Sequence, residues 1–157
     1  MIKTMRTERN RKCLAEFAET LPADGVMVEV GSYAGEGAEI FARHVRLLTC
    51  IDLWPQPDVL AAWFDRMLRF QNVGFLQGRS VDSAKLFADA SLDVVYIDAA
   101  HDYESVKADI LAWRPKLKPG GILSGHDYGP HAPGVIQAVD ELIGKPSHVY
   151  GETTWVA

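Results

Sequence analysis

The chain has 157 residues, and 16 Lys and Arg against 21 Asp and Glu leave a formal charge of −5. That length is close to the modal size of one domain and is enough to bury a core. A net acidic chain without a Lys/Arg block is not built to neutralise a phosphate backbone, and no apolar run nears the roughly 18 residues that cross a bilayer. Neither a nucleic acid nor a membrane is therefore expected as a partner.

The stretch from Met1 to Asn10 is polar and lacks the apolar segment of a secretory signal. Cys13 and Cys50 stand far apart, outside any C-x-x-C spacing, and read as free thiols of a reducing compartment. The expectation is a single cytoplasmic domain over residues 1–157, with no large cap or lid.

In chain order, Leu14, Phe17, Ala18 and Leu21 share one helical face, which should stop near Pro22. Val26 to Val30 is a β-branched run ending at Gly31, a strand. Ala38, Phe41, Ala42 and Val45 give a second helical face, and Leu47 to Ile51 a second strand. Pro57 can open a helix running through Leu60, Ala61, Phe64 and Leu68. Val73 to Leu76 is a third strand, with a short helix around Ser83 to Phe87.

Leu92 to Ile97 carries the strongest strand signal. Val106, Ile110 and Trp113 mark the next helix, and Pro115 with Pro119-Gly120-Gly121 its end. A fifth strand over Ile122 to Gly125, a helix through Val135, Ile136, Val139 and Leu142, and two short strands near 147–150 and 154–156 complete the pattern. Strand–helix alternation predicts parallel βαβ units, an α/β doubly wound sheet with helices on both faces. Ligands of such sheets sit outside the carboxyl ends of the strands, so those ends are where chemistry is sought.

After the first strand, Gly31, Gly35 and Gly37 allow a tight turn into a helix N-terminus. A dinucleotide fingerprint would need glycine at residue 33, which is Tyr33, and Glu36 would repel a phosphate. Asp52, about 20 residues on, stands where a carboxylate holds a ribose diol. Trp54 beside it is either an adenine cover or core. The fourth strand ends in Asp98-Ala99-Ala100-His101 and the fifth in His126-Asp127, so two acid/His pairs should meet at one rim. Carboxylates there suit Mg²⁺, and an imidazole suits proton abstraction from a hydroxyl. His44, His131 and His148 read as capping or surface residues.

Four stretches together resemble the class I S-adenosylmethionine-dependent methyltransferases, closest to the small-molecule O-methyltransferase-like group. They are Val28-Glu29-Val30-Gly31-Ser32-Tyr33-Ala34-Gly35, Cys50-Ile51-Asp52, Val95 through Tyr103, and Leu117 through Tyr128. The resemblance implies a Rossmann-like, mostly parallel seven-stranded sheet closing in an antiparallel hairpin. It implies that Glu29 and the backbone of Gly31, Ser32, Tyr33 and Gly35 hold the methionine part of the cofactor. Asp52, with Leu53 beside it, would take the ribose, and Arg79 and Ser80 would lie beside adenine.

Asp98 and Asp127 match metal-binding positions of the Mg²⁺-dependent members, and Asp98, His101, His126 and Asp127 would form the reacting end. A further acid or amide of some members is replaced here by His126 or Tyr128, so a metal-assisted route and a metal-free His base are both open. The implied acceptor is a small molecule bearing a hydroxyl, and the substrate side is open, shaped for something bulky, or completed by a second copy in a homodimer. Trp54, Trp63, Tyr103 and Tyr128 are candidates to line it, Trp63 more naturally as core. Two other classes compete. An NAD-linked oxidoreductase is disfavoured by Tyr33 and by the lack of a Tyr-x-x-x-Lys motif. A non-catalytic S-adenosylmethionine-binding module would leave the acid/His pairs without a purpose.

Overall fold

A computed structural model describes residues 6–151 and 153–157. The start of the polar N-terminal stretch, residues 1–5, lies outside the described residues. The strands are β1 (Val26–Val30), β2 (Leu47–Asp52), β3 (Val73–Gln77), β4 (Leu92–Ile97), β5 (Leu117–Gly125), β6 (His148–Tyr150) and β7 (Thr154–Val156). They form one seven-stranded sheet in the order β3-β2-β1-β4-β5-β7-β6. β1 to β5 pair in parallel, and β7 runs antiparallel to both β5 and β6. The doubly wound sheet with a reversed last strand is therefore present. From β1 the chain steps outward through β2 and β3, then returns to the other side of β1 as β4. That reversal opens a crevice at the carboxyl ends of β1 and β4.

Among the described residues six α-helices cover the sheet: α1 (Glu8–Ala18), α2 (Glu36–Phe41), α3 (Pro57–Met67), α4 (Ser80–Ala84), α5 (Tyr103–Trp113) and α6 (Pro133–Leu142). Their starts follow local chemistry. The Thr7 and Asp102 side chains cap α1 and α5, accepting from the Asn10 and Ser105 N–H groups. Pro57 and Pro133 occupy first turns, where a missing N–H costs nothing.

Strand pleat divides the core in two. Met27, Leu48, Cys50 and Tyr96 face α1, α2 and α3 with Phe17, Phe41 and Trp63. Val28, Val30, Ile51, Val95 and Ile97 face α4, α5 and α6 with Ile110, Trp113 and Val139. Trp54 and Trp63 are both buried, their ring centroids 5.4 Å apart, so Trp54 is core and covers no ligand.

Three elements differ in extent from their sequence patterns. β5 begins at Leu117, because Leu117 pairs with Leu92 across a register shift and carries the Pro119-Gly120-Gly121 segment into the strand. α4 begins at Ser80, three residues before the apolar signal, and α2 ends at Phe41. Among the described residues no helix is long and apolar enough to cross a membrane.

Candidate cofactor cleft and acceptor rim

A cleft of about 800 Å³ opens where β1, β2 and β4 end, walled by the β1–α2 loop, α4 and α5. Gly31 makes the entry: its φ is +88°, and a Cβ there would lie 2.1 Å from the Asp98 carbonyl oxygen. Only glycine permits that approach of two strand ends. Asp52 fixes the loop from the neighbouring strand. One of its carboxylate oxygens accepts the Tyr33 N–H at 2.8 Å and the other the Trp54 N–H at 3.0 Å. Tyr33 and Trp54 both hold φ values in the left-handed region, +46° and +40°. Such backbone persists where its surroundings over-determine it, and here the Trp54 indole N–H also donates to the Tyr33 carbonyl at 2.7 Å. Asp52 itself lines the cleft.

Gly31, Tyr33, Asp52, Leu53, Arg79 and Ser80 line this cleft together with Asp98. Glu29, Ser32 and Gly35 do not. The pleat turns Glu29 onto the α1–α3 face, where it is 1% exposed and accepts the Ser32 hydroxyl at 2.5 Å. The Trp63 indole N–H reaches the same hydroxyl at 3.0 Å, and Gly35 packs on the Trp63 ring. These residues support the loop from beneath; their side chains do not line the cleft. Burial pushes the Glu29 carboxyl up to about 7, against the Ser32 hydroxyl and Arg6, which lower it.

At the mouth, Asp98 and Asp127 are brought together as the sequence suggested, and His101 joins them. Its Nε2 lies 2.9 Å from Asp127 Oδ2 and 3.8 Å from Asp98 Oδ1. His126, buried, places Nδ1 3.1 Å from Asp127 Oδ2 and Nε2 3.1 Å from the Thr153 hydroxyl. Asp127 itself sits at φ +60°. Burial alone would push its carboxyl up, but hydrogen bonds from His101, His126 and His131 hold it far below the usual range. The same bond to Asp127, and a weaker one to Asp98, raise His101 to about 10. Tyr103 and Tyr128 turn their hydroxyls to Glu141 and Asp140 on α6.

Three residues matter that the sequence reading did not single out as functional. His131, read there as a surface residue, returns from the β5–α6 loop to place Nε2 2.8 Å from Asp127 Oδ1. The Arg6 guanidinium ion-pairs with Asp98, while its backbone N–H donates to Glu36 at 3.2 Å. Asp109 of α5, on which the sequence reading was silent, is 5% exposed and lines the cleft. A carboxylate three residues past a buried Val106 was the available signal.

Asp98, His101 and Asp127 each offer one ligand atom, all within 4.8 Å of one another. Two carboxylates would suit Mg²⁺, but the third atom is an imidazole nitrogen, and Mg²⁺ takes oxygen ligands. Arg6 also ion-pairs with Asp98, and three imidazole nitrogens already occupy the Asp127 carboxylate. The donor set does not fit Mg²⁺. The cleft does fit a cationic nucleoside: Asp52, Asp82, Asp98 and Asp109 line it against a single Arg79, a balance hostile to pyrophosphate.

The sheet thus has its crevice at the β1/β4 reversal, with Asp52 at the end of β2 and an acidic cleft beside it. Residues 28–128 match the family described as "Methyltransferase domain", and the chain belongs to that family, the class I S-adenosylmethionine-dependent methyltransferases. Solved structures share the fold. The cofactor-bound Rv0187 protein from MTB is 16% identical, with a TM-score of 0.74 over 99% of this chain and 80% of that one. Precorrin-6y C5,15-methyltransferase from Geobacter metallireducens is 13% identical, with a TM-score of 0.73 over 99% and 90%. The N-methyltransferase NodS from Bradyrhizobium japonicum is 19% identical, with a TM-score of 0.69 over 94% and 91%. An uncharacterised protein of Sinorhizobium fredii NGR234, y4gI, is 44% identical over 39 residues, which span 25% of this chain and 4% of that protein.

Proposed function

We propose that this methyltransferase methylates a hydroxyl oxygen of a small molecule, with His101 as the base and without Mg²⁺. The observation that carries the reading is His101 itself: half-exposed at the mouth of the cleft, with Nε2 between the Asp98 and Asp127 carboxylates. When bound, S-adenosylmethionine supplies a sulfonium methyl that an oxygen takes in line, the C–S bond breaking as the O–C bond forms and sulfur keeping the electron pair. The protein's part is to orient and to move one proton.

Asp52 and the Gly31 turn hold the nucleoside end. Asp98 offers negative charge to the cofactor's cationic end, in place of Arg6. His101 in its neutral form, its Nε2–H donated to Asp127, takes the acceptor hydroxyl's proton at Nδ1 as the ether bond forms. Asp127 orients the ring and stabilises the resulting imidazolium, and His126 and His131 fix Asp127. The two carboxylates hold His101 protonated to about 10. A positive charge arriving beside Asp98 opposes the imidazolium and lowers that value toward neutrality.

The test is turnover of methyl-labelled S-adenosylmethionine against phenolic, catecholic and sugar hydroxyl acceptors, with product analysis. The expected product is a methyl ether. Its rate should rise through a pKa above the ordinary 6.5 of histidine, resist EDTA, and fall about 10²-fold or more in His101→Gln. Products methylated on nitrogen alone, or full turnover in His101→Gln, would overturn the reading.

A further inference from the structure

We propose, on the hydroxyl reading of the rim, that Arg6 binds a carboxylate carried by the acceptor, so that the molecule methylated is an anionic hydroxy acid rather than a neutral alcohol or phenol. Arg6 stands immediately before Thr7, the N-cap of α1, and its guanidinium ion-pairs with Asp98 at the mouth of the cleft. Its side chain is only 11% exposed. The main chain is pinned on both sides of that contact. The Arg6 N–H donates to Glu36 at 3.2 Å, and the Thr7 hydroxyl accepts the Asn10 N–H at 3.2 Å. The backbone therefore stays at the rim while the side chain can turn between rotamers.

Charge decides what the guanidinium meets when the site is loaded. Among the described residues, Asp98 pairs with Arg6 and is flanked by His101 and His126, while His101, His126 and His131 take Asp127. Of these partners Arg6 alone keeps its charge whatever the pH. Glu29, which also acts on Arg6 electrostatically, lies beneath the loop with its carboxyl on the Ser32 hydroxyl. With S-adenosylmethionine bound, a sulfonium and an ammonium stand against a single cofactor carboxylate, a surplus of one positive charge. Asp98 carries one negative charge and cannot neutralise both that surplus and Arg6.

A guanidinium so enclosed is costly without an anion. A neutral acceptor leaves Arg6 in that state, whereas a carboxylate on the acceptor relieves it. The planar fork of Arg6 matches a carboxylate with two parallel N–H···O bonds. Position agrees with charge: Arg6 Nη2 and His101 Nε2 face different oxygens of Asp98, Oδ2 and Oδ1. The anion reader and the base thus flank one side chain, and the two ends of a compact hydroxy acid reach both.

The experiment compares kcat/KM for hydroxybenzoates with that for the near-isosteric, neutral hydroxybenzamides in wild type, Arg6→Gln and Arg6→Lys, alongside calorimetric binding of S-adenosylhomocysteine. Wild type should prefer a hydroxybenzoate over its amide by about 100-fold. Arg6→Gln should cut that preference below about 10-fold, the loss falling on the carboxylate substrate. Arg6→Lys, which keeps the charge without the fork, should lie between the two. No preference in wild type, or the full preference in Arg6→Gln, would overturn the proposal and leave the hydroxyl reading standing. A loss of S-adenosylhomocysteine affinity of about 10-fold or more in Arg6→Gln, with the acceptor preference intact, would assign Arg6 to the cofactor's own carboxylate and overturn it equally. Failure of every one of these acceptors to yield a methyl ether would overturn the hydroxyl reading, and this proposal with it.

Discussion

The two ends of the site are built by different physics. The cofactor end is backbone work: Gly31 packed on the Asp98 carbonyl, and Tyr33 and Trp54 N–H groups fixed on one carboxylate. A buried Ser32–Glu29–Trp63 layer lies beneath it. The acceptor rim is side-chain work: Arg6, His101 and His131 gather on Asp98 and Asp127, with His101 and His131 50% and 56% exposed. The first end is held by main-chain bonds and buried packing, the second by exposed charged side chains that can adjust.

That contrast predicts where damage falls. Gly31→Val should be the most severe change, because a branched side chain at φ +88° meets main chain that cannot move aside. A loss on the order of 4 kcal/mol in denaturant unfolding is expected, and a well-folded Gly31→Val protein would break the claim that the cofactor end is rigid. Asp127→Ala should lower turnover about 10²-fold, roughly 3 kcal/mol of barrier, with the same melting curve within a few degrees. Collapse of the fold in that variant would show the rim to be structural.

Glu29 sharpens the comparison through pH. Its carboxyl binds a proton more tightly in the folded chain, at about 7, than at the ordinary 4.5. Its stabilising contribution is therefore full below 4.5 and is lost as pH rises through 7. Stability should fall by about 2 kcal/mol between pH 5 and 8 in wild type and stay flatter in Glu29→Gln; identical pH profiles would refute it. His131→Asn is expected to do least, a few-fold in turnover with unchanged cofactor affinity, since two imidazoles remain on Asp127.

How far each end was legible in the sequence follows the same division. β4, with its unbroken apolar run, and the Gly31 and Asp52 positions are local patterns. They marked the central strand and the two strand-end positions directly. Asp98, His101 and Asp127 were legible as strand-end residues because parallel sheets bring those ends to one rim. Glu29 lies beneath the loop, since a motif marks a position but pleat parity decides the face. Arg6 and His131 act across 92 and 4 residues through chain paths that no periodicity encodes. Asp109 was hidden because a polar residue in a helix is ordinarily solvated; only its packing against Ser80 and the cleft makes it unusual. The early start of α4 was missed for the same reason, as Ser80 is recruited by Trp113 rather than by an apolar repeat.

The most direct measurement is calorimetric titration of S-adenosylhomocysteine into wild type, Asp52→Ala and Asp127→Ala side by side. A preformed cofactor end separate from the acceptor rim predicts that Asp127→Ala binds within about 3-fold of wild type while Asp52→Ala loses about 100-fold or more. Equal losses in the two variants would contradict it.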